Sequence, residues 1–159
     1  MATQVKPIPE GYHTLTPCLT VNDGLKAVDY YTKAFNAKVI YKMDGPDGKL
    51  MHAELQIGDS RLMVGSECKE KGCLAPTSLK GSACSLYVYV NDVDAAFEQA
   101  ISAGGKSIQA VEDAFWGDRY GTIEDPFGHR WMLATHKLDL TSEQIRERAE
   151  EFFGSLAKS

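Results

Sequence analysis

Hydrophobic spacing of period two and of period 3.6 take turns along this chain, and their order predicts one strand, one helix and three strands, twice over. Residues 13–21, rich in Thr, Leu and Val, read as a strand. Asn22-Asp23 then offers side-chain oxygens to the free N–H groups of a helix start. Residues 24–35 place Leu25, Val28, Tyr31 and Phe35 at helical spacing on one face. Residues 38–42, 50–57 and 60–64 read as strands, joined by Asp44-Gly45-Pro46-Asp47-Gly48 and by Gly58-Asp59. The order begins again with a strand at residues 84–90 and a helix that buries Val93, Ala96, Phe97, Ala100 and Ile101 before Gly104-Gly105. Strands at 106–111, 120–124 and 129–135 complete it, with Asp125-Pro126-Phe127-Gly128 as the last turn.

The two halves are copies of one pattern. Asn22-Asp23 answers Asn91-Asp92, and Arg61-Leu62-Met63 answers Arg130-Trp131-Met132, both 69 positions apart. An equal offset at both ends means no net insertion between them. The predicted fold class is α+β: tandem βαβββ modules forming curved mixed β-sheets around a cavity, plus a C-terminal helix. The expected divisions are an N-terminal extension (1–11), a first module (12–66), a linker (67–83), a second module (84–136) and an amphipathic helix (137–159). Thr141-Ser142-Glu143-Gln144 has the spacing of a capping box, and Ile145, Ala149, Phe152, Phe153 and Leu156 form an apolar stripe behind it. That stripe needs a partner surface, on the core or on a second subunit.

Composition narrows the function classes. The chain of 159 residues is 43% hydrophobic and 25% charged, which suits a soluble globular protein. A formal net charge of −5 argues against a nucleic-acid surface. No run of ~18 apolar residues is present to span a membrane. The first ten residues have no apolar stretch of the secretory kind, so the expected location is the cytoplasm. Cys18, Cys68, Cys73 and Cys84 are then expected to stay reduced, and all four read as structural. Cys18 and Cys84 read as small hydrophobes in apolar runs.

The βαβββ repeat, the N-D-x-x-x-A helix start and Glu124-Asp125-Pro126-Phe127-Gly128-His129-Arg130-Trp131 together resemble the vicinal oxygen chelate superfamily, the group of glyoxalase I, bleomycin-resistance proteins, fosfomycin-resistance enzymes and extradiol dioxygenases. More narrowly, Tyr12-His13-Thr14, Met51-His52-Ala53-Glu54-Leu55, Gly117-Asp118-Arg119 and the Asp-Pro-Phe-Gly-His-x-Trp run look like its PhnB-like branch. The resemblance covers residues 12–136. It implies a small-molecule site and, in metal-using members, four ligands from the first and fourth strands of both modules. Carried over, those positions hold Thr16, Met63, Ser85 and Met132. Hydroxyls are weak ligands and thioethers suit soft ions, so no metal is expected at these four positions. His52 and Glu54, two apart on one strand face, offer a relocated divalent site together with His129 or His136, but the favoured reading is that they hydrogen-bond across strands or face water. His13 stands at the very start of the first strand, and His129 is read as a residue that fixes its turn.

Strand alternation extends the candidate ligand-binding set. Thr14 and Cys18 share a face with Thr16, Tyr87 and Tyr89 share one with Ser85, and Arg61 and Arg130 share one with Met63 and Met132. Such a lining suits a flat or anionic organic molecule. Phe115 and Trp116 fall in a loop read as a lid or a partner contact. Asp118 and Arg119 form the charged pair proposed for recognition or proton transfer, and Glu124 is a candidate general base.

Two readings stay open. One is a small-molecule-binding protein of the glyoxalase/bleomycin-resistance type without the usual metal. The other is an enzyme (lyase, isomerase or dioxygenase type) using a relocated divalent metal or metal-free acid–base groups among His52, Glu54, Asp118, Arg119 and Glu124. The expected partners are an unidentified small organic molecule and a second copy of the chain, because exposed sheet edges and the amphipathic tail invite a homodimer.

Overall fold

A computed structural model describes residues 5–156. The first four residues of the expected N-terminal extension and the last three of the expected C-terminal segment lie outside the described residues. The chain divides into two units. The first runs up to Ala83 and also includes Pro126–His129; the second holds Cys84–Asp125 and the chain from Arg130 onward.

In the first unit, β1 (Cys18–Val21), α1 (Gly24–Phe35), β2 (Lys38–Asp44), β3 (Leu50–Ile57) and β4 (Ser60–Ser66) form one βαβββ module. The sheet order is β1-β4-β3-β2, with β1 parallel to β4 and the other pairs antiparallel. A short helix α2 (Pro76–Leu79) lies in the linker. Asp23 caps α1 by accepting from the Lys26 backbone N–H at 3.1 Å. Its buried face is Ala27, Val28, Tyr30, Tyr31 and Ala34, whereas Leu25, expected inside, is 43% exposed. Tyr30, not among the positions expected inside, is buried, and its ring packs edge-on against Tyr31 and Phe35. Phe127 packs edge-on against Tyr30 and Tyr31, with centroids 6.2 and 6.1 Å away.

In the second unit, β5 (Ser85–Tyr89), α3 (Val93–Ser102), β6 (Lys106–Asp113), β7 (Asp118–Glu124) and β8 (Arg130–His136) repeat the plan, in the order β5-β8-β7-β6. Asp92 caps α3 as Asp23 caps α1, and Val93, Phe97 and Ala100 are its buried residues. The helix α4 (Ser142–Leu156) opens on a reciprocal capping box: the Gln144 backbone N–H donates to Thr141 Oγ1, and the Thr141 N–H donates to Gln144 Oε1. Its stripe meets Phe115, whose ring lies 5.7 and 5.9 Å from Phe152 and Phe153. Phe152, Phe153 and Leu156 stay exposed.

Strand ends depart from the sequence reading at informative places. β1 begins at Cys18, so Thr14 and Thr16 precede the strand and the alternation argued for them does not apply. β7 begins at Asp118, so residues 114–117 make a tight hairpin rather than a long loop. Gly117 sits there at φ +100°, and a Cβ would fall 2.5 Å from the Leu138 carbonyl oxygen. Cys18 and Cys84, expected inside, are exposed.

Candidate functional site

On β4, Leu62 and Val64 are buried, and alternation turns Arg61 and Met63 to the other face. Met63 stands opposite Glu54 on β3 and Cys18 on β1. A groove of about 430 Å³ opens here, lined by Pro7, Ile8, Pro9, Tyr12, His13, Thr14, Thr16, Glu54 and Met63. The Tyr12 hydroxyl donates to Glu54 Oε2, and His52 Nε2 lies 3.5 Å from Glu54 Oε1. Burial, and then the bond to Glu54, push the Tyr12 phenol above its ordinary value, so it stays a protonated donor. Tyr12, Glu54 and His52 thus form one contiguous polar cluster, of which Tyr12 and Glu54 line the groove.

Arg61 does not line this groove. Its guanidinium lies over the Tyr12 ring, 5.5 Å from the centroid, and its Nε and Nη1 are buried without a hydrogen-bond partner. Gly11, at φ +79°, passes so close that a Cβ would meet Arg61 Nη2 at 2.7 Å. The backbone segment before β1 therefore covers the arginine that the sequence reading placed on the ligand.

In the second unit the corresponding face gathers around one carboxylate. Asp118 is 4% exposed. It accepts from the hydroxyls of Tyr87 (2.9 Å) and Tyr89 (3.1 Å) and from Trp116 Nε1 (3.3 Å). His136 adds Nδ1 at 2.8 Å to Asp118 Oδ1, and its Nε2 lies 3.0 Å from Asp139. Only the doubly protonated imidazolium can donate to both carboxylates, and the bond to Asp118, then that to Asp139, raises the His136 pKa. Burial alone would raise Asp118; the bonds from His136, Tyr87, Tyr89 and Trp116 outweigh it and hold the carboxyl below its ordinary range. Burial, followed by the bond to Asp118, pushes the Tyr87 phenol up to about 12.

Asp118 and Arg119, expected to act as a pair, are separated by strand alternation. Arg119 clamps Asp94 of α3 with Nε and Nη2, both at 2.8 Å, and reaches Asp113 at 3.2 Å. Glu124 faces Arg130 across the β7–β8 pair, at 3.9 Å from its Nε, and Arg130 in turn stands opposite Ser85. Met132 lies between Tyr87 and Thr122. Phe115 turns to the C-terminal helix instead of a pocket. His129 Nε2 is 2.9 Å from the Thr20 carbonyl oxygen. The reading missed Tyr12 and His136 as members of these clusters; Tyr12 had a signal, since it opens a motif that carried the resemblance.

The residues that the resemblance carries over to the family's metal positions, Thr16, Met63, Ser85 and Met132, offer only hydroxyl and thioether groups, which do not fit a divalent ion. Met63 and Met132 occupy equivalent register positions, with Cys18 and Tyr87 as their parallel-strand partners. Thioether, thiol and phenol groups meet there, with no imidazole or carboxylate among these four side chains. Among the described residues, no three His, Cys, Asp or Glu side chains are grouped so as to hold a metal ion.

Comparison with known proteins places this architecture. An uncharacterised protein of Mycobacterium bovis is 40% identical over 150 residues, covering 92% of this chain and 94% of its own length. The crystal structure of TioX from Micromonospora sp. ML1 aligns at a TM-score of 0.63 and 28% identity, covering 78% of this chain and 98% of that one. A PhnB protein from Bacillus cereus, described as a putative 3-demethylubiquinone-9 3-methyltransferase, shares the fold at a TM-score of 0.60 and 18% identity, covering 77% and 99%. The model of the Glyoxalase/Bleomycin resistance protein/Dioxygenase superfamily matches residues 12–133, and the chain belongs to that family.

Proposed function

We propose that the protein binds a small organic molecule in the groove of its first unit, without the four-ligand metal centre of its metal-using relatives. The observation that carries this reading is the lining itself. Apolar Pro7, Ile8, Pro9 and Met63 surround the hydroxyls of Thr14 and Thr16 and the single carboxylate of Glu54, held by Tyr12. Apolar walls with a few fixed polar groups are what a small-molecule site needs. The PhnB-like branch remains our assignment on the motifs at Tyr12, Met51, Gly117 and Asp125. No helix among the described residues is long and apolar enough to cross a membrane, and a cytoplasmic location is part of the proposal.

Two measurements test it. Metal content after dialysis and after loading with Zn, Ni, Mn and Fe is expected to stay far below one equivalent; near-stoichiometric retention overturns the metal-free reading. The fluorescent probe 8-anilinonaphthalene-1-sulfonate is expected to bind the folded protein, and Met63→Glu to weaken it about tenfold by placing a second carboxylate in the groove. Probe binding that ignores Met63→Glu would sink the groove.

We further propose a homodimer. β2 is an edge strand with all seven residues exposed, Val39, Ile40, Tyr41 and Met43 among them, and such an edge ordinarily finds a cover. Sedimentation at micromolar concentration is expected to give a dimer; a monomer overturns this.

A further inference from the structure

On one face of the second unit the hydrogen-bond donors of Tyr87, Tyr89, Trp116 and His136 are all committed. Both tyrosine hydroxyl protons point to Asp118, the Trp116 N–H points there too, and both ring nitrogens of His136 face carboxylates. Each phenol oxygen therefore turns only lone pairs outward. The rings remain available: Tyr87 is 39% and Tyr89 64% exposed, and they lie 5.2 Å apart. Trp116 continues the aromatic surface to Tyr120, at 4.8 Å. With His136 charged, Asp118, His136 and Asp139 together carry one net negative charge. Acceptor oxygens, π faces and negative charge together favour a positively charged, N–H-bearing planar ligand. A carboxylate would meet no free donor on Tyr87, Tyr89, Trp116 or His136.

We propose that this aromatic face is a binding site for planar cationic aromatic molecules that carry N–H donors. This names a ligand class for the family's small-molecule function, yet it rests on second-unit residues and not on the groove lined by Glu54 and Met63. Asp118 acts as a positioning residue here: it orients the hydroxyls and touches no ligand.

The test uses three flat tricyclic probes with the full chain: proflavine as the cation, 9-anthracenemethanol as the neutral form and 9-anthracenecarboxylate as the anion. Fluorescence titration is expected to rank them cation, neutral, anion, with proflavine at least about tenfold tighter than the carboxylate. Tyr89→Ala, at an exposed position that folding tolerates, is expected to weaken proflavine about tenfold. Tyr87→Phe with Tyr89→Phe keeps the rings and removes the acceptor oxygens, so it should narrow the gap between proflavine and the neutral probe. Equal or tighter binding of the carboxylate overturns the ligand class. Proflavine binding that ignores Tyr89→Ala overturns the location. If no probe binds, the inference fails, whereas the groove still stands or falls on its own Met63→Glu result.

Discussion

Asp118→Ala is expected to cost about 3 kcal/mol of stability, roughly a 6–12 °C fall in Tm for a chain of this size. Four donors converge on this one buried carboxylate. A hydrogen bond to a charged group contributes about 1.5–3 kcal/mol, but Tyr87, Tyr89 and His136 are exposed enough to turn to water once the acceptor is gone. The sum is therefore well below four full bonds. The pair also sets a pH profile. Asp118 has a lowered pKa in the folded state, so its contribution is present above about pH 4 and is lost as pH falls through the folded value. His136 has a raised pKa, so its contribution is complete below about pH 6.5 and is lost as pH rises through the folded value. Thermal melts from pH 3 to 9 should place the pair's greatest effect between those limits. His136→Gln should remove the decline on the alkaline side and leave the acid side largely in place. An Asp118→Ala melt within 2 °C of the parent would show that the cluster is surface decoration.

How much of this was legible beforehand differs between fold and site. The repeat read from Asn22/Asn91 and Arg61/Arg130 is real in three dimensions: β1–β4 pairs Cys18 with Met63, and β5–β8 pairs Tyr87 with Met132, the same offset of 69. The inner hairpins run one residue short of it. Tyr41 pairs with Glu54 as Gln109 pairs with Thr122, and even the register slip after Val39 recurs after Ser107. A longer β7–β8 turn restores the count, so anchors at the two ends cannot reveal the slip. Its consequence is local and chemical: the counterpart of Glu54 is Thr122, and a carboxylate in one unit becomes a hydroxyl in the other. A strand predicted from residue 120 leaves Asp118 and Arg119 in a loop, where alternation says nothing; because β7 begins at Asp118, the pleat sends the two to opposite faces. Tyr12 follows Pro7, Pro9 and Gly11, where no periodicity exists to predict which way a side chain points. His136 closes the last strand, and its meeting with Asp118 depends on β7–β8 register rather than on any spacing in the chain.

The largest loss is expected at Trp131. The ring is 2% exposed and stands in register between Leu86 and Ile123. Its Nε1 donates to Asp125 Oδ2 at 2.9 Å, a carboxylate itself only 3% exposed. Trp131→Ala removes the largest fully buried side chain and should cost about 4 kcal/mol, or roughly 8–16 °C in Tm. Trp131→Phe keeps most of the volume and loses the donor, so about 1–2 kcal/mol is expected from the bond to Asp125. The comparison decides which effect wins. If packing dominates, Phe recovers more than half of the loss; if the bond to Asp125 dominates, Phe and Ala fall together. Calorimetry should assign the loss to the second unit, because Trp131 and Asp125 both belong to it. A Trp131→Ala variant that loses less than about 2 kcal/mol would mean that this core collapses around the missing ring, contrary to the dense packing expected of Leu133 and Ile123, both fully buried.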